Sequence, residues 1–511
     1  MEKISVNQQL NNPYAIELKD VCKAFGTKVK ANKNVNMNLK KGEILALLGE
    51  NGSGKTTLMN MIAGIYYPDS GKIFINGEEA VIRSPQDAYN YKIGMIHQHF
   101  KLVDIFTAAE NIVLGVKEKG KYSSKNIIQR VNDIANKYGF VIDCKKKIYD
   151  MSVSEKQTVE IIKVLYSGAD ILILDEPTAV LTPQEITKLF DILRKMKEDG
   201  KSIIIITHKL NEVMEISDRV TILRKGEHIA TVNTKETNEK ELTEMMVGKK
   251  VDLTIHRSET DFDKVLMNVD KLSILGDAGN LAIDEVSFEI KSGKILGVAG
   301  ITGCGQKELC EAIAGLRTVK SGDITNLGKS LIGLSPKEII DRGISMSFIP
   351  EDRLGMGLAP SFSITDNMML KNYSDGKFIF VDRKDARRRA TSLVERLEIV
   401  TPSIETPVRR LSGGNVQKVL VGREIESAPN VIVTAYPVRG LDINSSYVIY
   451  DILNEQKENG AGILFVGEDL DVMLGLCDEI MVLCHGKVMG IVDAKKITKE
   501  ELGLMMVGKT L

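Results

Sequence analysis

Long apolar runs are missing from this 511-residue sequence. The longest, such as Ile171 to Leu174 and Ile203 to Ile206, fall far short of the roughly 20 residues a membrane-spanning helix needs. No segment is therefore expected to cross a bilayer. The first residues, MEKISVNQQLNNPY, are polar and lack the apolar core of a signal peptide. A strong charge of either sign is missing too. The formal net charge is −1, which gives no overall footprint for nucleic acid. Paired cysteines are absent: Cys22, Cys144, Cys304, Cys310, Cys477 and Cys484 are scattered without a C-x-x-C spacing. Buried free thiols in a reducing compartment fit that pattern. The six histidines form no metal-ligating array, and His97-x-His99, the nearest approach, is weak as a site.

The hydrophobic fraction of 43% and charged fraction of 27% are those of an ordinary soluble protein, and the length is too great for one core. The chain is a repeat. The segment from Asp218 to Lys250 aligns with that from Asp478 to Thr510 at a constant offset of 260 residues, and MMVGK closes each half. Two tandem domains are expected over 1–250 and 264–511, joined by a charged, poorly periodic linker at 251–263. Short β-branched runs alternate with helical patterns, which predicts an α/β fold with a largely parallel sheet. Ile171 to Leu174 and Ile203 to Ile206 read as parallel strands buried on both faces. PQEITKLFDILRKMKEDGK between them reads as a crossover helix that Gly200 ends.

GENGSGKTT, Gly49 to Thr57, stands between an apolar strand and a helix and matches G-x-x-x-x-G-K-[ST]. Glycines let the backbone wrap so that successive N–H groups face phosphate oxygens. Lys55 supplies a cation for the β- and γ-phosphates, the Thr56 hydroxyl suits Mg²⁺, and the helix turns its positive end to the same anion. Asp175 and Glu176 then close a buried strand, where α/β sheets carry their chemistry and where two adjacent acids are costly without a role. Asp175 suits Mg²⁺; Glu176 suits a general base polarising water. His208 ends the next strand, within reach of a γ-phosphate. Gln98 is a candidate Mg²⁺ ligand. A structural role fits either residue taken alone. Phe25 suits either stacking on adenine or a place in the core.

Together these residues resemble the ATP-binding subunits of ABC transporters. The phosphate loop, the glutamine loop at Gln98, the LSGG signature, the LDEP strand and the switch histidine His208 occur in family order over nearly the whole chain. The resemblance implies two P-loop NTPase domains, each with a mostly parallel core sheet, an antiparallel edge sheet and a helical subdomain. It implies that ATP is held by Phe25, by Gly49, Glu50, Asn51, Gly52, Ser53, Gly54, Lys55, Thr56 and Thr57, and by Gln98 and Asp175. Mg²⁺ falls to Thr56, Gln98 and Asp175, and catalysis to Glu176 and His208. In this family each ATP lies between one phosphate loop and the other domain's signature, so Ser412, Gly413 and Gly414 of LSGGN would complete the site by intramolecular pairing of the two domains. Asp442 matches the position for communication between domains.

The other site departs from the pattern. Its loop reads GITGCGQKE, with Gln306 in the place of Lys55 and Lys307 in that of Thr56. Ala435 and Tyr436 stand against Asp175 and Glu176, Glu468 against His208, and Glu351 against Gln98. The facing signature, Met151 to Ser154, lacks both glycines. Negligible hydrolysis is expected there, although Gly300, Gly303 and Gly305 still form a turn.

Tandem domains with a ruined second site are similar to importers of ribose, galactose and related solutes. HQHFKLVDIFTAAENIVLG, PEDRLGMGL, SITDNMML and TPVRRLSGGNVQK resemble the nucleoside-importer ATPases of that group. The resemblance implies two transmembrane permeases and an extracytoplasmic substrate-binding lipoprotein as partners, no nucleic acid, and a place on the cytoplasmic face of the membrane. The permeases would dock around Gln98 and Glu351, where His97, His99 and Phe100 serve that contact or local packing. A sugar importer is the alternative solute reading. A tandem ATPase acting on ribosomes or DNA is the distant one, disfavoured by the short join and the single intact site.

Overall fold

The computed structural model describes residues 12–26, 29–97, 100–116, 123–178, 181–207, 209–250, 255–277, 279–301, 303–348, 353–370, 383–426, 429–439, 441 and 443–509. The chain divides into two compact units, 1–252 and 253–511.

The first unit contains β1 (Tyr14–Phe25), β2 (Val29–Lys40), β3 (Ile44–Leu48), β4 (Ser70–Ile75), β5 (Glu78–Ala80), β6 (Ile93–Ile96), β7 (Ile171–Asp175), β8 (Ser202–Ile206), β9 (Arg219–Arg224) and β10 (Glu227–Asn233). They form a four-stranded sheet, β2-β1-β4-β5, and a six-stranded sheet, β10-β9-β3-β8-β7-β6. The smaller sheet is antiparallel. In the larger, β9, β3, β8, β7 and β6 run parallel and only β10 is antiparallel.

Period-two geometry explains the β-branched runs. Leu172 and Leu174 of β7, with Ile203 and Ile205 of β8, face one apolar cluster. Ile171, Ile173, Ile204 and Ile206 face another on the opposite side. Both faces are covered, so continuous apolar sequence is what these strands require. The crossover helix runs Pro183–Glu198; Thr182 and Glu185 form a capping box at its start, and Gly200 beyond its end takes a left-handed φ of 83°. Between β6 and β7 lie the helices Ala108–Val113, Ser124–Tyr138 and Val153–Tyr166. Ile112, Val131 and Val159 join them into one core with the sheet.

The second unit repeats the plan as β11 (Val265–Leu275), β12 (Leu281–Lys291), β13 (Ile295–Ala299), β14 (Val319–Asn326), β15 (Lys329–Ser330), β16 (Ile344–Phe348), β17 (Val431–Ala435), β18 (Gly462–Val466), β19 (Glu479–Cys484) and β20 (Lys487–Asp493). Its sheets follow the same order, β12-β11-β14-β15 and β20-β19-β13-β18-β17-β16. The cysteines are free; five are buried and Cys22 is partly exposed, a departure from the expectation that all are buried. Among the described residues no helix is long and apolar enough to cross a membrane.

Candidate active site

β3 and β7 flank β8 in the sheet of the first unit, and the loop after β3 brings Lys55 under the charge of Glu176 and Asp175 at the end of β7. β3 runs into the loop from Gly49, and that loop ends at Gly54, which caps the helix Lys55–Ile62 with φ 97° and no side-chain cap hydrogen bond. The first-turn N–H groups are thus left to a ligand or water. Glycine is required at two points. A Cβ on Gly49 would lie 2.3 Å from the Leu223 carbonyl oxygen, and one on Gly54 would lie 2.3 Å from that of Ala31. Ser53 is buried, and its Oγ finds no hydrogen-bond partner. Lys55, also buried, folds its ammonium back onto the loop, donating to the carbonyls of Gly49 at 2.6 Å and Glu50 at 3.0 Å.

Asp175 is buried at the end of β7. Burial, reinforced by the charge of Glu176 and opposed by Lys55, pushes its carboxyl up to about 6. Burial lowers the Lys55 ammonium, against the pull of Glu176, Asp175 and Glu50. Three acids, Glu176, Asp175 and Glu50, act on one cation here, a set deficient in positive charge and suited to a divalent metal. Glu176 holds a left-handed φ of 49°, its N–H donating to Ile206 O at 2.9 Å. Thr56 is exposed in the first helical turn, and Thr57 lies beside it, partly exposed.

Phe25 ends β1 with 41% of its surface exposed and its ring edge-on to Tyr66 at 5.2 Å. It is not a core residue. Beside its strand lies a cavity of about 660 Å³ lined by Lys23, Ala24, Lys30, Asn32 and Lys33, among others. Asn32 gave no signal in the sequence. Its buried amide donates to Gly54 O at 3.3 Å and so steadies the loop from β2. Gln98, His208, Glu351 and Asp442 lie outside the described residues.

In the second unit the backbone of the cradle survives without its chemistry. Gly303 and Gly305 hold φ of 91° and 105°, and Gly305 caps the helix Gln306–Ile313. Gln306 fills the place of Lys55, buried, and its amide donates to Ile301 O at 3.2 Å. Ala435 ends β17. Tyr436 follows with φ 52°, its backbone N–H donating to Val466 O at 2.8 Å, and its side chain is partly buried. Burial, aided by the charge of Glu468, raises its phenol to about 12. A group that stays protonated near neutrality cannot serve as a general base.

The two signature segments differ in the same direction. In LSGGN, exposed Ser412 and Gly413 lead into the helix Gly413–Ile425, and Ser412 makes no side-chain cap hydrogen bond. In the first unit, Ser152 and Glu155 close a reciprocal capping box on the helix Val153–Tyr166, and Lys146 pairs with Glu155 at 2.7 Å. A carboxylate thus occupies the helix start where an anion would sit.

Residues 32–179 and 283–434 each match the family described as ABC transporter. The chain belongs to the ABC transporter family. As an ABC ATPase it carries two ATP-binding domains in tandem. It is 42% identical over 502 residues, 97% of this chain and 98% of the relative, to the guanosine import ATP-binding protein NupO of Bacillus subtilis (strain 168). It is 40% identical to the nucleoside import ATP-binding protein NupA of Lactococcus lactis subsp. cremoris (strain MG1363), over 97% of this chain and 99% of the relative. The ribose import ATP-binding protein RbsA 1 of Rubrobacter xylanophilus (strain DSM 9941) is 37% identical, over 96% of this ABC ATPase and 98% of that protein. Among solved structures, the archaeal ribosome recycling factor aABCE1, in complex with stalk protein aP1, aligns with TM-score 0.59 and 17% identity over 91% of this chain and 87% of that one. That last likeness concerns the fold alone.

Proposed function

We propose that this ABC ATPase powers a nucleoside importer and that only one of its two nucleotide sites hydrolyses ATP. The observation that carries the second half is the contrast at two equivalent strand ends: a buried Asp175 followed by Glu176, against Ala435 followed by a protonated Tyr436.

The competent site is built on Gly49 to Thr57. Backbone N–H groups of the loop and of the first helical turn bind the phosphates, and Lys55 leaves the loop carbonyls to pair with them. Thr56 and Asp175, with Gln98, would hold Mg²⁺, which would supply positive charge to the phosphates. Glu176 takes a proton from the attacking water, and His208 steadies the γ-phosphate. Such a general base is worth about 10²–10⁴-fold. Phe25, exposed at the end of β1, offers its ring to adenine. Ser412, Gly413 and Gly414 are assigned to phosphate binding by family analogy alone.

The nucleoside assignment rests on the relatives named for guanosine and nucleoside import, with ribose as the second reading. Transport then requires membrane permeases and an extracytoplasmic binding protein, with this chain on the cytoplasmic face. Uptake by vesicles bearing the cognate permeases, over a panel of nucleosides and pentoses, tests it. Nucleoside-dependent ATP turnover is expected; preferential ribose uptake overturns the choice of solute.

A further inference from the structure

One buried carboxylate in the first unit belongs to neither the phosphate loop nor the strand-end acid pair. Glu212 lies in the helix Leu210–Ile216 and is 5% exposed. Its Oε2 accepts from Thr178 Oγ1 at 2.6 Å and from Thr207 Oγ1 at 3.2 Å, and its Oε1 pairs with Lys209 Nζ at 3.1 Å. The Lys209 N–H in turn donates to Thr207 Oγ1 at 3.1 Å, and its ammonium to the Thr178 carbonyl at 3.4 Å. One side chain therefore ties Thr178, two residues after Glu176, to Thr207 and Lys209.

The arrangement is costly for folding alone. A carboxylate is buried, and a lysine occupies the helix N-cap, where cations are disfavoured and no side-chain cap bond is made. The second unit shows the inexpensive alternative. Val438, Gly467 and Val472 stand at the equivalent positions of Thr178, Thr207 and Glu212, and both valines pack against the apolar core. Asp469, equivalent to Lys209, caps its helix by accepting from Asp471 N and Val472 N. The fold is thus kept without the polar cluster, and the cluster is absent from the unit that also lacks the acid pair.

We propose that Glu212 is a positioning residue for hydrolysis, holding Thr178, two residues after Glu176, in one fixed relation to Thr207 and Lys209. The proposal rests on the roles given above to Glu176 and His208. Small misplacement of reacting groups costs about 10²-fold, so the expected loss lies in kcat.

The test is steady-state ATP turnover by the full chain carrying Thr178→Val together with Glu212→Val, which copies the second unit, with Glu212→Gln alone and Glu176→Gln alongside. The expected result is a kcat about 10- to 100-fold lower in the double variant, a smaller loss in Glu212→Gln, and KM for ATP and melting temperature close to wild type in both. Wild-type kcat in the double variant, with Glu176→Gln inactive, overturns the proposal and leaves the active-site assignment standing. An active Glu176→Gln overturns that assignment instead. Unfolding of both Glu212 variants, or a rise in KM that accounts for the whole loss, assigns Glu212 a structural or binding role and also overturns the proposal.

Discussion

Glu176 and Tyr436 occupy the same backbone conformation, φ 49° and 52°, at the ends of equivalent strands, and each N–H donates to the last residue of the neighbouring strand, Ile206 or Val466. A left-handed φ costs a residue with a Cβ about 1–2 kcal/mol. Both units keep that strain; only the first keeps an acid to use it. Among the described residues, Gly303, Gly305 and Tyr436 keep the backbone conformations of Gly52, Gly54 and Glu176, so what has changed at Gln306, Ala435 and Tyr436 is the side chain.

The phosphate loop depends on the absence of a Cβ at Gly54, not merely on flexibility. Gly54→Ala brings a methyl within 2.3 Å of Ala31 O at a φ of 97°. Loss of measurable ATP binding is expected, with a lower melting temperature. Gly52→Ala meets nothing within 4 Å. It should cost about 1–2 kcal/mol of left-handed strain, read as a smaller shift of the melting curve.

Lys55→Ala removes the cation and should weaken ATP binding about 10- to 100-fold, the scale of a charge-assisted hydrogen bond. Gln306→Ala removes an amide that bonds its own loop at Ile301 and should leave that affinity unchanged. Equilibrium binding of a fluorescent ATP analogue to each full-length variant compares them.

The signature segments make opposite predictions for one added charge. Gly413→Asp places a carboxylate at the exposed helix start in LSGGN and should lower ATP turnover at least about 10-fold by like-charge repulsion. Ser154→Asp in the first unit adds an acid beside Glu155, already paired with Lys146, and should leave turnover within about twofold. Equal losses from both would place a working signature in each unit.

Much of this was legible in the sequence because it is local. The loop motif, β7, β8 and the crossover helix each follow from short runs and their spacing, and each folds as that spacing demands. Phe25 was ambiguous, since an aromatic at a strand end suits a core as well as a surface, and the structure leaves it exposed. Asn32 and the Glu212 cluster were not legible. Their partners, Gly54 and Thr178, are 22 and 34 residues away and meet only when strands and loops from different layers are brought together. The left-handed turn at Glu176 was hidden for another reason: an acid there gives no hint of positive φ, which glycine usually announces.

Steady-state ATP turnover by the full-length chain carrying Glu176→Gln, set beside Tyr436→Ala, tests the single-site claim most directly. One working site predicts a loss of about 10²-fold or more in the first variant and retention of most activity in the second. Comparable losses from both, or half of the wild-type rate surviving in Glu176→Gln, would contradict it.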